Sequence, residues 1–201
     1  MAVDRNTFYE RCRKNFNKNL SDTQIKGYEA IFDYWDPSPL NDGRWLAYIL
    51  ATAHHEMGGR IGPVREGFCD TDEGSIRAVT NLFNKGKIRR NYALPHDNGN
   101  SYFGRGLVQI THGDNYFKMG KVLGIPLYEY PSLALDLDTS VKIIYEGMTN
   151  GFFRPPHKLS TYFTDTTTDW LNARNIINGG LDRAGDIKKI ALKYFDAIEW
   201  K

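Results

Sequence analysis

The sequence predicts a mainly α-helical protein, and three observations carry that reading. Apolar residues recur at three- and four-residue spacing in successive stretches along the whole chain. Start and stop signals fall at the ends of those stretches, in the order helices require. The exception is one short extended or hairpin region near residues 102–110, where Gln109 and Thr111 alternate with apolar residues.

At 201 residues the chain is long enough for one substantial domain, residues 1–201, with room for two lobes and a real core. Hydrophobic content of 41% and charged content of 25% are those of a soluble globular protein. A net charge of +2 is too small to argue for nucleic acid as a partner. Cys12 and Cys69 are too few for a disulfide framework, so a reducing compartment is expected at synthesis, with a single bridge left open. The first residues lack the apolar run of a signal peptide, and no segment is long and apolar enough to span a bilayer.

Residues 4–16 fit a helix with Phe8, Cys12 and Phe16 on one face. Ser21 to Gln24 has the capping-box pattern, and Ile25, Tyr28, Phe32 and Trp35 then form an apolar stripe. Asp36-Pro37-Ser38-Pro39 ends that helix. Asp42 is placed to cap the next, whose first half is apolar nearly all round, as a buried helix is. Gly58-Gly59 stops it. Cys69 to Gly74 reads as a polar turn, and Ile76, Val79, Leu82 and Phe83 as a further helix. The basic run Lys85 to Arg90 reads as a solvated face and Pro95 to Ser101 as loop. In the alternating region Leu107, Val108 and Ile110 anchor the chain, and Gln109 and Thr111 are expected on the opposite face. Thr111 or Asp114 is placed to cap a helix through Tyr116 and Met119 that ends at Gly124. Residues 139–150 fit a helix, residues 151–168 are loop-rich, Asp169 caps a segment reaching Ile177, and Arg183 to Trp200 fits the last helix.

Chemistry centres on Trp45 to Glu66. Glu56 closes the apolar stripe of Trp45, Ile49, Thr52 and Ala53. A carboxyl at the mouth of a buried helix is partly desolvated, which raises its pKa toward that of a general acid working near neutrality. Ten positions later, past a Gly/Pro turn, stands Glu66 beside Arg65. Two carboxylates in different surroundings suggest an acid/base pair, although a Glu near a helix end is as a rule solvated. His54-His55-Glu56 also raises a zinc site. A metalloprotease helix needs a second His four residues after the first, and here those positions are Gly58 and Gly59. No metal is expected, and the remaining histidines, His96, His112 and His157, show no ligand spacing.

Three separated motifs, Ala53-His-His-Glu-Met-Gly-Gly59, Tyr102-Phe-Gly-Arg-Gly-Leu-Val-Gln-Ile-Thr111 with Asn115-Tyr116, and Asn175-Ile-Ile-Asn-Gly-Gly180, stand in this order. Through them the chain resembles family 19 glycoside hydrolases, the chitinase-like group that also contains phage endolysins. The resemblance implies a lysozyme-like, two-lobed helical fold with a cleft between the lobes. It implies Glu56 as general acid and Glu66 as general base. Gln109, Thr111, Asn115 and Asn178 match residues that hold N-acetylated sugars, and His55 and Tyr102 match cleft positions. A further acid and a basic residue of that network are expected near Asp182 and Lys189.

The departures are informative. Plant members have a longer loop between the acids, more cysteine, and a Trp shortly before the tyrosine-glycine motif; none lies between Tyr92 and Tyr102 here. The resemblance therefore leans to the phage and bacterial branch. It implies a cofactor-free, inverting hydrolase of the β-1,4 bonds of peptidoglycan, with chitin the alternative glycan. Such an endolysin is expected to act as a monomer, without membrane insertion, collecting in the cytoplasm until a holin releases it to the wall. A catalytically dead glycan-binding module and a metal-dependent wall amidase or peptidase are the readings from other classes.

Overall fold

The structure is a computed structural model and describes residues 2–201. Among them the chain forms eight α-helices: α1 (Arg5–Phe16), α2 (Asp22–Trp35), α3 (Gly43–Glu56), α4 (Asp72–Asn84), α5 (Gly113–Leu123), α6 (Leu137–Asn150), α7 (Leu159–Tyr162) and α8 (Ala184–Ala197). Two-residue strands β1 (Val64–Arg65) and β2 (Arg105–Gly106) pair antiparallel. The mainly helical class expected from periodicity is the class observed. The chain divides into two compact units, Met1–Ile61 with Ile144–Lys201, and Gly62–Ile143, so α6 contributes residues to both.

In the first unit the helix ends are made as their sequences dictate. Asp4 accepts from the Thr7 amide at 3.1 Å. Ser21 and Gln24 form the reciprocal capping box. The Asp42 carboxylate accepts from the Arg44 amide at 2.9 Å. Every residue of α3 from Leu46 to Ala53 is buried, and the helix packs against α8, which also carries α1. Gly58 and Gly59 take positive φ, and the Gly59 amide returns to the His54 carbonyl at 2.7 Å, which ends α3. Gly27 cannot be anything larger: a Cβ there would sit 1.8 Å from the Ile61 carbonyl oxygen. The core is aromatic. Phe8 meets Tyr28 and Phe32 edge-on, and the Tyr28 hydroxyl pairs at 2.9 Å with that of Tyr194, which reaches His54 Nδ1 at 2.7 Å.

Two expectations for this unit change. The segment after Asp169 is a 3-10 turn, Asn172–Ile176, in which Asp169 accepts from the Asn172 amide. The last helix stops at Ala197 because the chain leaves it extended, and Trp200 pairs with Val3.

The second unit is held by a buried arginine. Arg105 is 1% exposed; its guanidinium donates to Asp72 at 2.8 Å and to the Ser101 carbonyl at 2.9 Å, over the Phe103 ring. Arg65 meets the other Asp72 oxygen at 2.6 Å, so the two paired strands present both cations to the first turn of α4. Burial pulls the Asp72 carboxyl upward, but its bonds to Arg65 and Arg105 outweigh it and hold the carboxyl below the ordinary range.

Three expectations are corrected in this unit. In the 102–110 region Arg105–Gly106 pairs with β1 and Arg105 also bridges back to Ile110, as a hairpin does, but Gln109 takes φ 53° and breaks the alternation. Neither Thr111 nor Asp114 caps α5: the cap position is His112, at φ 68° and without a side-chain bond. α4 forms as expected and buries Val79, yet Leu82 and Phe83 of its apolar set stay exposed. Both cysteines are free thiols.

Candidate active site

Glu56 is the last residue of α3, half-buried, and its neighbour is a cation that the sequence did not announce. Arg174, 5% exposed, donates from Nη1 to Glu56 Oε1 at 2.9 Å. The 3-10 turn that carries Arg174 is pinned from the α6–α7 loop, where Arg154 donates to the carbonyls of Asn175 (2.9 Å) and Asn178 (2.6 Å). The expected picture of Glu56 as a carboxyl against apolar surface is therefore incomplete.

His55 precedes Glu56 and lies in the same field. Burial lowers its pKa, helped by Arg174 and Arg183 and opposed by Glu56 and Asp186. Near Asp182 and Lys189, where the resemblance puts a further acid and an Arg, Arg183 and Asp186 pair with each other at 3.4 Å. Asn178 is exposed; its backbone amide donates to the Arg174 carbonyl at 3.0 Å. The first unit thus brings Glu56, His55, Arg174 and Asn178 into one neighbourhood.

Glu66 belongs to the second unit and follows β1 directly. Both carboxylate oxygens are engaged. Oε1 accepts from the Tyr92 hydroxyl at 2.5 Å and Oε2 from the Gly104 amide at 2.7 Å, while the Glu66 amide returns to the Gly104 carbonyl at 2.7 Å. Two donors on one carboxylate fix its orientation. Burial and the Glu66 charge push the Tyr92 phenol well above its ordinary range, so it stays a donor. Tyr92 also lines a cavity of about 370 Å³ in this unit, with His96, His112, Asp97 and Asp114.

The other residues expected at the site divide. Gln109 sits beside Gly104, but its Nε2 donates to the carbonyls of Val64 (3.0 Å) and Gly106 (3.1 Å), so the amide ties the strand pair together. Asn115 is exposed and donates to the Thr111 carbonyl at 2.8 Å. Tyr102 is corrected: it is fully buried, stacked on Tyr128, with its hydroxyl donating to the Tyr128 carbonyl and accepting from Asn98. It offers no surface to a sugar.

Two partners were missed. Arg174 stands between Ala173 and Asn175 in a stretch of mixed polarity, which does not mark it as a buried cation. Tyr92 left only its place in a polar loop. Among the described residues, no group of three or more His, Cys, Asp or Glu side chains is arranged to hold a metal ion, and no helix is long and apolar enough to cross a membrane.

Comparison with known proteins adds a third line. Residues 40–157 match the sequence model of a family described as chitinase class I, a span that contains Glu56, Glu66 and the 102–116 region. Chitinase 3 of Oryza sativa subsp. japonica is 31% identical over 152 residues, covering 68% of this chain and 46% of its own length. Inactive chitinase-like protein 1 of Hevea brasiliensis is 30% identical over 152 residues, with the same shares. The chain thus spans about half the length of the curated relatives it matches. Chitinase C from Streptomyces griseus HUT6037 has the same mainly helical fold, with a TM-score of 0.52 at 19% identity, covering 94% of this chain and 90% of that one.

Proposed function

Because the chain belongs to glycoside hydrolase family 19, the chitinase class I family, we propose that it hydrolyses β-1,4 bonds between N-acetylated amino sugars. Glu56 is the general acid and protonates the leaving oxygen. Glu66, as carboxylate, is the general base and activates a water on the opposite face of the ring, which inverts the anomeric centre. The observation that carries the assignment is the ion pair at the end of α3: a half-buried carboxylate aimed by a buried Arg174 at 2.9 Å. Glu66 suits the complementary role, because two donors hold its carboxylate in a fixed orientation. Exposed Asn178 and Asn115 and half-buried His55 and Thr111 remain available to hold sugar.

For the polymer we propose peptidoglycan, in the manner of a phage endolysin that collects in the cytoplasm as a monomer and reaches the wall through a holin. Ten positions separate the two acids, both thiols are free, and Leu94 occupies the loop in which plant members place a Trp. Chitin is the second reading, favoured by the names of the relatives.

Mass spectrometry of fragments released from purified peptidoglycan and from chitin tests both. New reducing ends from peptidoglycan support the proposal, and reducing ends from chitin alone select the second reading. Free peptides released in a chelator-sensitive way would overturn both in favour of an amidase. Tight oligosaccharide binding without products would make the chain a binding module.

A further inference from the structure

The first unit carries a concavity far from Glu56 that the hydrolytic reading leaves unused. It encloses about 600 Å³ where the end of α2, the Pro37–Leu40 turn, the start of α3 and the last turns of α6 meet. Trp45 lines it from the first turn of α3, eleven residues before Glu56, which is about 16 Å along the helix axis at roughly 1.5 Å per residue.

The lining is aromatic and acidic, with no Lys, Arg or His among the described residues that form it. Tyr34 and Tyr145 meet edge to face at 4.7 Å, and the indole of Trp45 is held by its Nε1 donating to the Phe163 carbonyl at 3.3 Å. Glu146 is fixed on both oxygens, by the Tyr34 hydroxyl at 3.2 Å and by Asn150 Nδ2 at 2.7 Å. Tyr145 is 7% exposed, with its hydroxyl buried beside Ser38.

We infer that this concavity is a second carbohydrate site, holding an N-acetylated amino-sugar unit of the polymer away from the bond being cleaved. Aromatic faces receive the apolar face of a pyranose, while oriented carboxylate, amide and phenol groups meet its hydroxyls and acetamide. An ammonium group would meet aromatic rings and carboxylates as well. The choice of the sugar over the ammonium follows from the glycan substrate proposed above, and the ammonium is an outcome of the test. Tethering at such a site raises the effective concentration of the chain on an insoluble polymer without adding a contact to the reacting sugar. The inference rests on the proposed glycan substrate for its choice of ligand, but not on turnover.

The test is a titration of the Glu56→Gln protein with the tetramer of N-acetylglucosamine, read by amide and indole chemical shifts. Saturable shifts are expected at the Trp45 indole and at residues 33–40 and 145–150. Glu146→Ala, which removes the oriented carboxylate from the lining, is expected to weaken them about tenfold. In the otherwise native chain the same substitution should slow attack on insoluble polymer and leave cleavage of the soluble tetramer unchanged. Absence of shifts in these segments would overturn the site. So would shifts of undiminished strength in a folded Glu146→Ala protein, or shifts produced by lysine amide and not by the tetramer. If the tetramer binds here while the native chain releases no reducing ends, the hydrolytic proposal fails and the second site stands.

Discussion

Arg174 and Glu56 are 118 residues apart in sequence and joined at 2.9 Å, Nη1 to Oε1, with the guanidinium side chain 6% exposed and the carboxylate side chain 20% exposed. A carboxylate held this way has one oxygen committed to its partner, so its direction is set before any ligand arrives.

Glu56→Gln keeps the shape of the side chain and an acceptor for Arg174 but removes the transferable proton. Hydrolysis is expected to fall about 10²–10⁴-fold with the melting temperature close to wild type. Arg174→Ala is expected to behave differently, because it strips a buried pair of one member. A loss of about 3 kcal/mol is expected, the low end for such pairs because Glu56 keeps some solvent, visible as a melting temperature lowered by roughly 2–4 °C per kcal/mol. Wild-type rates in a folded Glu56→Gln protein would remove Glu56 from the mechanism.

Gln109 and Asn178 should separate cleanly. The Gln109 amide supports two backbone carbonyls across the strand pair, so Gln109→Ala is expected to cost about 1–3 kcal/mol of stability. Asn178 is exposed and its engaged groups are backbone, so Asn178→Ala should leave the melt unchanged and raise KM. Calorimetric scans beside steady-state kinetics decide it; a stable Gln109→Ala protein would contradict the tie seen across the strands.

His54 gives stability a pH dependence. Burial, with lesser help from Lys18, His55 and Lys193, pushes its pKa down from 6.5 to about 4. Between those values the unfolded chain binds a proton that the folded chain excludes. Stability therefore falls as pH drops from 6.5 toward 4 and levels off below, a change of at most about 3 kcal/mol. Urea midpoints at pH 7 and pH 4.5 should differ, and His54→Gln, which keeps a partner for Tyr194, should narrow the difference. An equal difference in both proteins would place the effect elsewhere.

If Glu66 activates water, the first product released from a β-linked oligosaccharide is the α-anomer. Proton NMR within the first minutes, before mutarotation, is the measurement. A β-anomer would make Glu66 a nucleophile or exclude it from the reaction.

The helices were legible because their signals are local. Ser21 with Gln24, Asp42 before α3, and Gly58-Gly59 after it each act within one turn, and each is found where the residues place it. What could not be read depends on distant partners. Nothing near Arg105 in sequence says that its guanidinium is buried against Asp72, 33 positions away. Gln109 reads as strand from its neighbours, yet the contacts of its own amide hold it at positive φ. Glu56 was identified by its place on a helix, but the cation beside it arrives from the far end of the chain. Tyr102 was placed at the cleft by the resemblance of its motif, whereas its ring is buried and stacked on Tyr128.

The crowding at Gly104 has a meaning for variation among sequences. A methyl group there would lie 2.8 Å from Gln109 Oε1 and 3.3 Å from Glu66 Oε2, pressing on the residue that ties the strands and on the proposed base together. At Gly185, inside α8, an added methyl meets nothing, and exchanging a helical glycine for alanine typically stabilises by about 0.5–1 kcal/mol. A randomised library selected for wall-degrading clones should therefore return glycine almost alone at codon 104 and drift toward alanine at codon 185.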